Sequence, residues 1–84
     1  MAYCKKFVDA FVAKKDEIAK ELTLQMGRPA SQTPGEVNGF KDRATYMISV
    51  AEEALKDVAV EEKAGFTRFI RKEPLGVVFV IGAW

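Results

Sequence analysis

The chain has 84 residues, of which 49% are hydrophobic and 30% charged; that is enough for one small globular domain and is not the composition of a disordered tail. Thirteen basic residues against twelve acidic ones leave a net charge of +1. Lys5, Lys6, Lys14, Lys15 and Lys20 are interspersed with Asp9, Asp16, Glu17 and Glu21, a solvated helix face rather than the one-sided basic patch of a nucleic-acid binder.

A single cysteine, Cys4, and no histidine exclude an internal disulfide, His-assisted acyl transfer and the common zinc sites. The longest apolar run, Val77–Ile81, is too short to cross a bilayer, and no secretory core follows Met1, so a cytoplasmic setting is expected. A domain this small buries only about 60% of the surface its unfolded chain exposes, which leaves it marginal without outside help.

Helical periodicity governs the first two thirds. Cys4, Phe7, Val8, Phe11 and Val12 recur at three- and four-residue steps and predict a helix over about 3–15, with Cys4 buried or half-buried on its apolar stripe. Asp16 is placed to cap a second helix over about 16–26, whose apolar side is Ile18, Ala19, Leu22 and Met26. Gly27 then suits a left-handed stop, and Pro29 prevents the helix from resuming.

Thr33-Pro34-Gly35-Glu36 reads as a capping box, with Ser31 as a competing start. The stripe Val37, Phe40, Ala44, Met47, Ile48, Ala51 and Leu55 follows and predicts a helix over about 33–57, roughly 37 Å long. Met26, Met47 and Leu55 are expected in the core. So long a helix in so short a chain suggests packing against something larger.

Val58–Gly65 reads as a charged connector. Thr67–Lys72 alternates like a half-exposed strand, expected over about 67–73, with Arg68, Arg71 and Lys72 as outward charges that discourage edge pairing rather than as an anion site. Val77-Val78-Phe79-Val80-Ile81 is apolar on both faces and β-branched, the pattern of a strand over 76–81 covered on both sides within a parallel sheet. Such a strand needs partners that two or three helices do not supply. The expectation is therefore an incomplete α/β unit, with a run prone to aggregation if left bare.

Arg71-Lys72-Glu73-Pro74-Leu75-Gly76-Val77-Val78, running into Ile81-Gly82-Ala83-Trp84, resembles the aldehyde dehydrogenase superfamily. Asp16-Glu17-Ile18-Ala19, Met26-Gly27-Arg28-Pro29 and Gly35-Glu36-Val37 are similar to three further elements of that family, at matching intervals, so the resemblance runs from about Phe7 to Trp84. It implies an α/β fold: an amino-terminal fragment of the aldehyde dehydrogenase fold, mainly helices, then a bridging strand and the first parallel strand of the dinucleotide-binding domain. It implies NAD(P)-dependent oxidation of an aldehyde to a carboxylic acid by a homo-oligomeric parent. It also places Ile81, Gly82, Ala83 and Trp84 beside the NAD or NADP, where open α/β sheets bind ligands.

Gly82-Ala83 before the Trp departs from the family's commoner residue-Pro-Trp version and is nearer the branch that includes fatty-aldehyde enzymes. The family's oxyanion Asn, nucleophilic Cys and general-base Glu have no counterpart in these residues. Cys4 stands far before the cofactor strand, so no residue here is expected to be catalytic and the chain alone is expected to be inactive. Without the resemblance, Trp84 reads as a hydrophobic plug at a strand end. The rival reading is a short helical interaction module, a truncated regulator whose apolar stripes dock on a partner protein.

Overall fold

In the computed structural model, which describes residues 1–82, the chain divides into a helical unit, Met1–Glu52, and a second unit from Glu53 onward. The helical unit grows from the apolar stripe of α1 (Ala2–Ala13). Val8 on that stripe is buried, and Phe11 and Val12 are half-buried. Lys14, at φ −95° and ψ 19°, interrupts the helix, its amide donating back to the Phe11 carbonyl at 3.1 Å.

α2 (Lys15–Met26) starts at once. Asp16 is therefore not its cap: it lies within the first turn with Glu17, where both carboxylates face the positive end of the helix dipole. Gly27 takes the left-handed conformation at φ 70° and donates to the Thr23 carbonyl at 3.0 Å. An added Cβ there would meet nothing within 4 Å, so any cost is purely a backbone one. Gly27→Ala is expected to destabilise the helical unit by about 1–2 kcal/mol, the penalty for a left-handed L-residue, read as a lowered melting temperature by circular dichroism.

The expected capping box is not formed. Thr33 is 1% exposed, and a hydroxyl that deeply buried must find partners nearby. It donates to the Ala30 carbonyl at 3.3 Å and lies 3.4 Å from the Thr23 hydroxyl of α2. The turn from Pro29 to Gln32 leads into the helix instead, the Pro29 carbonyl accepting from Gln32 and Thr33. Glu36, freed from a capping role, pairs with Arg28 at 2.5 Å.

α3 (Thr33–Ala54) turns Val37, Phe40, Ala44, Ile48 and Ala51 inward. Phe40 meets Phe11 at a ring-centroid distance of 4.3 Å and Phe7 edge-on at 6.0 Å, which joins α1 to α3. The fully buried apolar side chains are few: Val8, Ala19 and Val37. Three sequence expectations fail here. Met26, Met47 and Leu55 are not core but 50%, 55% and 64% exposed: Met26 is the last residue of α2, Leu55 follows the end of α3, and Met47 stands at the margin of a stripe whose Ile48 and Ala51 are half-buried. Cys4 is exposed rather than buried, on the free side of α1. α3 also ends at Ala54, short of 57, where Lys72 Nζ donates to the Ala54 carbonyl at 2.7 Å.

In the second unit, β1 (Val58–Ala59) pairs antiparallel with β2 (Phe69–Ile70), Val58 opposite Ile70 and Ala59 opposite Phe69. The stretch read as a charged connector thus supplies a strand, and a further bridge joins Lys63 to Phe66 around Gly65 at φ 80°. The strand expected over 67–73 shrinks to the two residues that find a partner. Residues 76–81, expected as a parallel strand, form none. A ladder needs a second strand to bond, and the described residues offer no further one.

Candidate functional site

The resemblance directs attention to Ile81–Trp84, and the route to it begins at the end of α3. Arg71 ties the hairpin together: its guanidinium lies over the Phe69 ring at 4.9 Å, and its Nε is 3.5 Å from Asp57 and 3.8 Å from Glu73. These ion pairs are well exposed, so each contributes little by itself. The stacking and the two carboxylates together fix the direction of the side chain. Lys72 holds the Ala54 carbonyl, and Arg68 donates to the Glu61 carbonyl.

The three basic residues read as outward strand charges are therefore occupied in joining the hairpin to its own connector and to the end of α3. Sequence spacing could not show this, since the partners Ala54, Asp57 and Glu61 lie outside the strand's own alternation.

Beyond that knot the chain changes character. Pro74 has no amide hydrogen to give, Gly76 takes φ 93°, and no backbone hydrogen bond forms from residue 74 to 82 among the described residues. Val77, Phe79 and Ile81 are 104%, 86% and 82% exposed. Gly82 is exposed as well, with open space where a Cβ would stand. Ala83 and Trp84, the other two residues assigned to the cofactor, lie outside the described residues.

A dinucleotide site requires a strand end, a close-turning backbone and the amino terminus of a following helix. Neither Ile81 nor Gly82 lines any of the described cavities. The cavity nearest in sequence, about 400 Å³, lies in the hairpin between Ala59 and Arg68 and is bordered by Glu61, Glu62 and Lys63. Arg68 adds a second basic group, so two acidic and two basic side chains line it and it shows no excess of positive charge for a pyrophosphate.

Catalytic chemistry is equally thin. Cys4 belongs to the helical unit and is exposed on α1. Among the described residues no cluster of His, Cys, Asp or Glu could hold a metal ion, and no helix is long and apolar enough to cross a membrane. What the second unit does present is an uncharged β-prone run with both backbone edges unbonded, anchored at one end by Arg71 and Lys72.

Residues 1–84 match the family described as "Aldehyde dehydrogenase family". The chain is 33% identical over 82 residues to the "Probable succinate-semialdehyde dehydrogenase" of Synechocystis sp., covering 98% of this chain and 18% of that protein. It is 37% identical over 75 residues to the 3-succinoylsemialdehyde-pyridine dehydrogenase of a Pseudomonas species, 89% of this chain and 15% of that one. The geranial dehydrogenase of Castellaniella defragrans is 28% identical over 83 residues, covering 98% and 17%. The chain therefore spans less than a fifth of the length of these curated relatives. No solved structure matches it.

Proposed function

The chain belongs to the aldehyde dehydrogenase family, and from that premise we propose that it is a segment of an NAD(P)-dependent enzyme that oxidises aldehydes to carboxylic acids. The observation that carries this reading is the coincidence of a family match over residues 1–84 with a bare apolar run at residues 77–81. Val77–Ile81 has the composition of a strand meant for burial on both faces, and a longer polypeptide is the simplest source of the missing sheet.

In this reading the segment has a scaffolding share in the enzyme. The helical unit packs on the dinucleotide-binding domain, the hairpin belongs to the bridging region of a homo-oligomer, and Ile81–Trp84 border the cofactor once neighbouring strands hold them. Nucleophile, general base and oxyanion donor come from elsewhere in the polypeptide, so no chemical step is assigned to a residue of this chain. The relatives' names include two semialdehydes and a terpenoid aldehyde, so the aldehyde group is what they have in common.

The test is to isolate the native protein that carries Phe66–Trp84, measure its intact mass, and assay it with succinic semialdehyde and geranial in the presence of NAD or NADP. The expected result is a mass several times 9.3 kDa together with aldehyde-dependent formation of reduced cofactor. A native mass of 9.3 kDa without turnover would sink the reading. It would favour the second one, a helical module that docks on a partner, for which Tyr3, Phe7 and Met47 stand exposed on the helical unit.

A further inference from the structure

We propose that Arg71 is a positioning residue: it holds the outer ladder of the hairpin one residue out of phase with its inner bridge, and so sets the point at which residues 74–82 leave it. The consequence for a cofactor site rests on the dehydrogenase reading; the register does not, and it is tested without cofactor.

The phase shift lies in the pairing itself. The inner bridge joins Lys63 to Phe66, and the outer ladder sets Val58 against Ile70 and Ala59 against Phe69. Residues 60–62 separate bridge from ladder on one strand, but only residues 67 and 68 do so on the other. One residue is in excess, the defining feature of a β-bulge. A bulge leaves a backbone group outside the ladder, and that group needs another partner. Here the Glu61 carbonyl accepts from the Arg68 guanidinium.

Nothing in the apolar residues requires this offset. Val58, Ala59 and Val60 are consecutive, so Phe69 and Ile70 would face apolar partners in either phase. Charge alone favours the other phase. Continued outward without the bulge, the inner register would set Lys72 against Asp57 and Glu73 against Lys56, two opposite-charge pairs of the stabilising kind. The observed register instead brings Lys72 level with Lys56. The two like charges part: Lys72 donates to the Ala54 carbonyl at 2.7 Å, and Lys56 pairs with Glu53 at 2.5 Å.

What the observed register gains is Arg71 opposite Asp57, the next pair in line after Ile70 and Val58. The Phe69 ring, two residues back on the same strand, holds the guanidinium at 4.9 Å, with Nε 3.5 Å from Asp57. In the other phase Arg71 would face Val58 instead of a carboxylate. A slip of one residue advances a strand by about 3.4 Å and turns every side chain to the opposite face. The phase that Arg71 selects therefore decides where the chain leading to Ile81 and Gly82 starts.

Two variants of the 84-residue chain test this through nuclear Overhauser contacts between facing residues. The unchanged chain is expected to show Val58–Ile70 and Ala59–Phe69. Arg71→Ala removes the selecting side chain, and the contacts should move by one residue, to Ala59–Ile70 and Val60–Phe69, with Lys63–Phe66 kept as the mark of a closed hairpin. Arg71→Ala/Lys72→Glu should not make that move, because the slip would bring a second carboxylate opposite Asp57. An Arg71→Ala chain that keeps Val58–Ile70, or that opens the ladder without re-forming it one residue along, overturns the proposal. So does a double variant that slips as the single one does.

Discussion

Val37→Asp is expected to abolish most of the helical signal of the Met1–Glu52 unit, while Asn38→Asp, one residue along, leaves it nearly unchanged. Val37 is 1% exposed and is the largest fully buried apolar side chain of the unit. It sits one turn before Phe40, whose ring closes on Phe11 and Phe7 of α1. An ionised carboxylate there has no cation within the buried face to meet it, and the effective penalty for an unpaired buried charge is several kcal/mol. A unit of this size has roughly 3–8 kcal/mol of stability in total.

One substitution is thus comparable with the whole. Asn38 is exposed and accepts from Lys15 Nζ at 3.2 Å, so an aspartate keeps the acceptor and adds a favourable charge. Both variants place Asp inside α3, so the intrinsic helix penalty cancels between them. Far-ultraviolet circular dichroism of the two side by side is the measurement. Retained helicity in Val37→Asp would mean that the three helices do not depend on one shared core.

The contrast between Val37 and Met47 shows what the sequence could and could not tell. Both lie on the predicted stripe of α3, and the 3.6-residue period identifies that stripe correctly from Val37 to Ala51. Periodicity names the side of a helix that seeks cover but not how wide the covered face is. Ile48 and Ala51 are still half-buried beyond Met47, so Met47 is exposed at the margin of the stripe rather than past its cover, and Leu55 lies after the end of α3.

Gly27 was legible because a left-handed stop has a single-residue signature. Thr33 was misread because a buried hydroxyl answers to whatever lies closest in space, and Thr23 is ten residues away. β1 was hidden for another reason. Val58, Ala59 and Val60 are flanked by Lys56, Asp57, Glu61 and Glu62, and two residues of apolar alternation cannot outweigh so much charge. At the candidate site the sequence marked Val77–Ile81 as unusual, and the exposure of that run is the structural counterpart. Its carrier, the Arg71 knot with Asp57 and Phe69, had no local signal because it depends on the hairpin closing first.

Titrating the isolated chain with NAD or NADP in a calorimeter is expected to give no saturable heat, although Ile81–Trp84 are proposed to border the cofactor in the longer enzyme. The reason lies in ordering rather than in residue identity. Residues 74–82 make no backbone hydrogen bond among the described residues, and fixing a residue's backbone costs roughly 1–2 kcal/mol. Holding nine such residues in a strand and turn therefore costs about 9–18 kcal/mol, whereas micromolar binding supplies only about 8 kcal/mol. The contacts of one turn with one ligand cannot offset that deficit. A sheet can, because neighbouring strands fix the run before any ligand arrives.

The same titration of the longer native protein, where those strands are proposed to exist, is expected to saturate, so the difference between the two measures what the surrounding sheet contributes. Saturable binding by the isolated chain in the sub-millimolar range would sink this argument, for it would mean that residues 74–82 hold a cofactor-ready shape without a sheet. In that event Gly82→Val, which fills the open space beside the backbone, would be the variant to show whether the ligand sits against that turn.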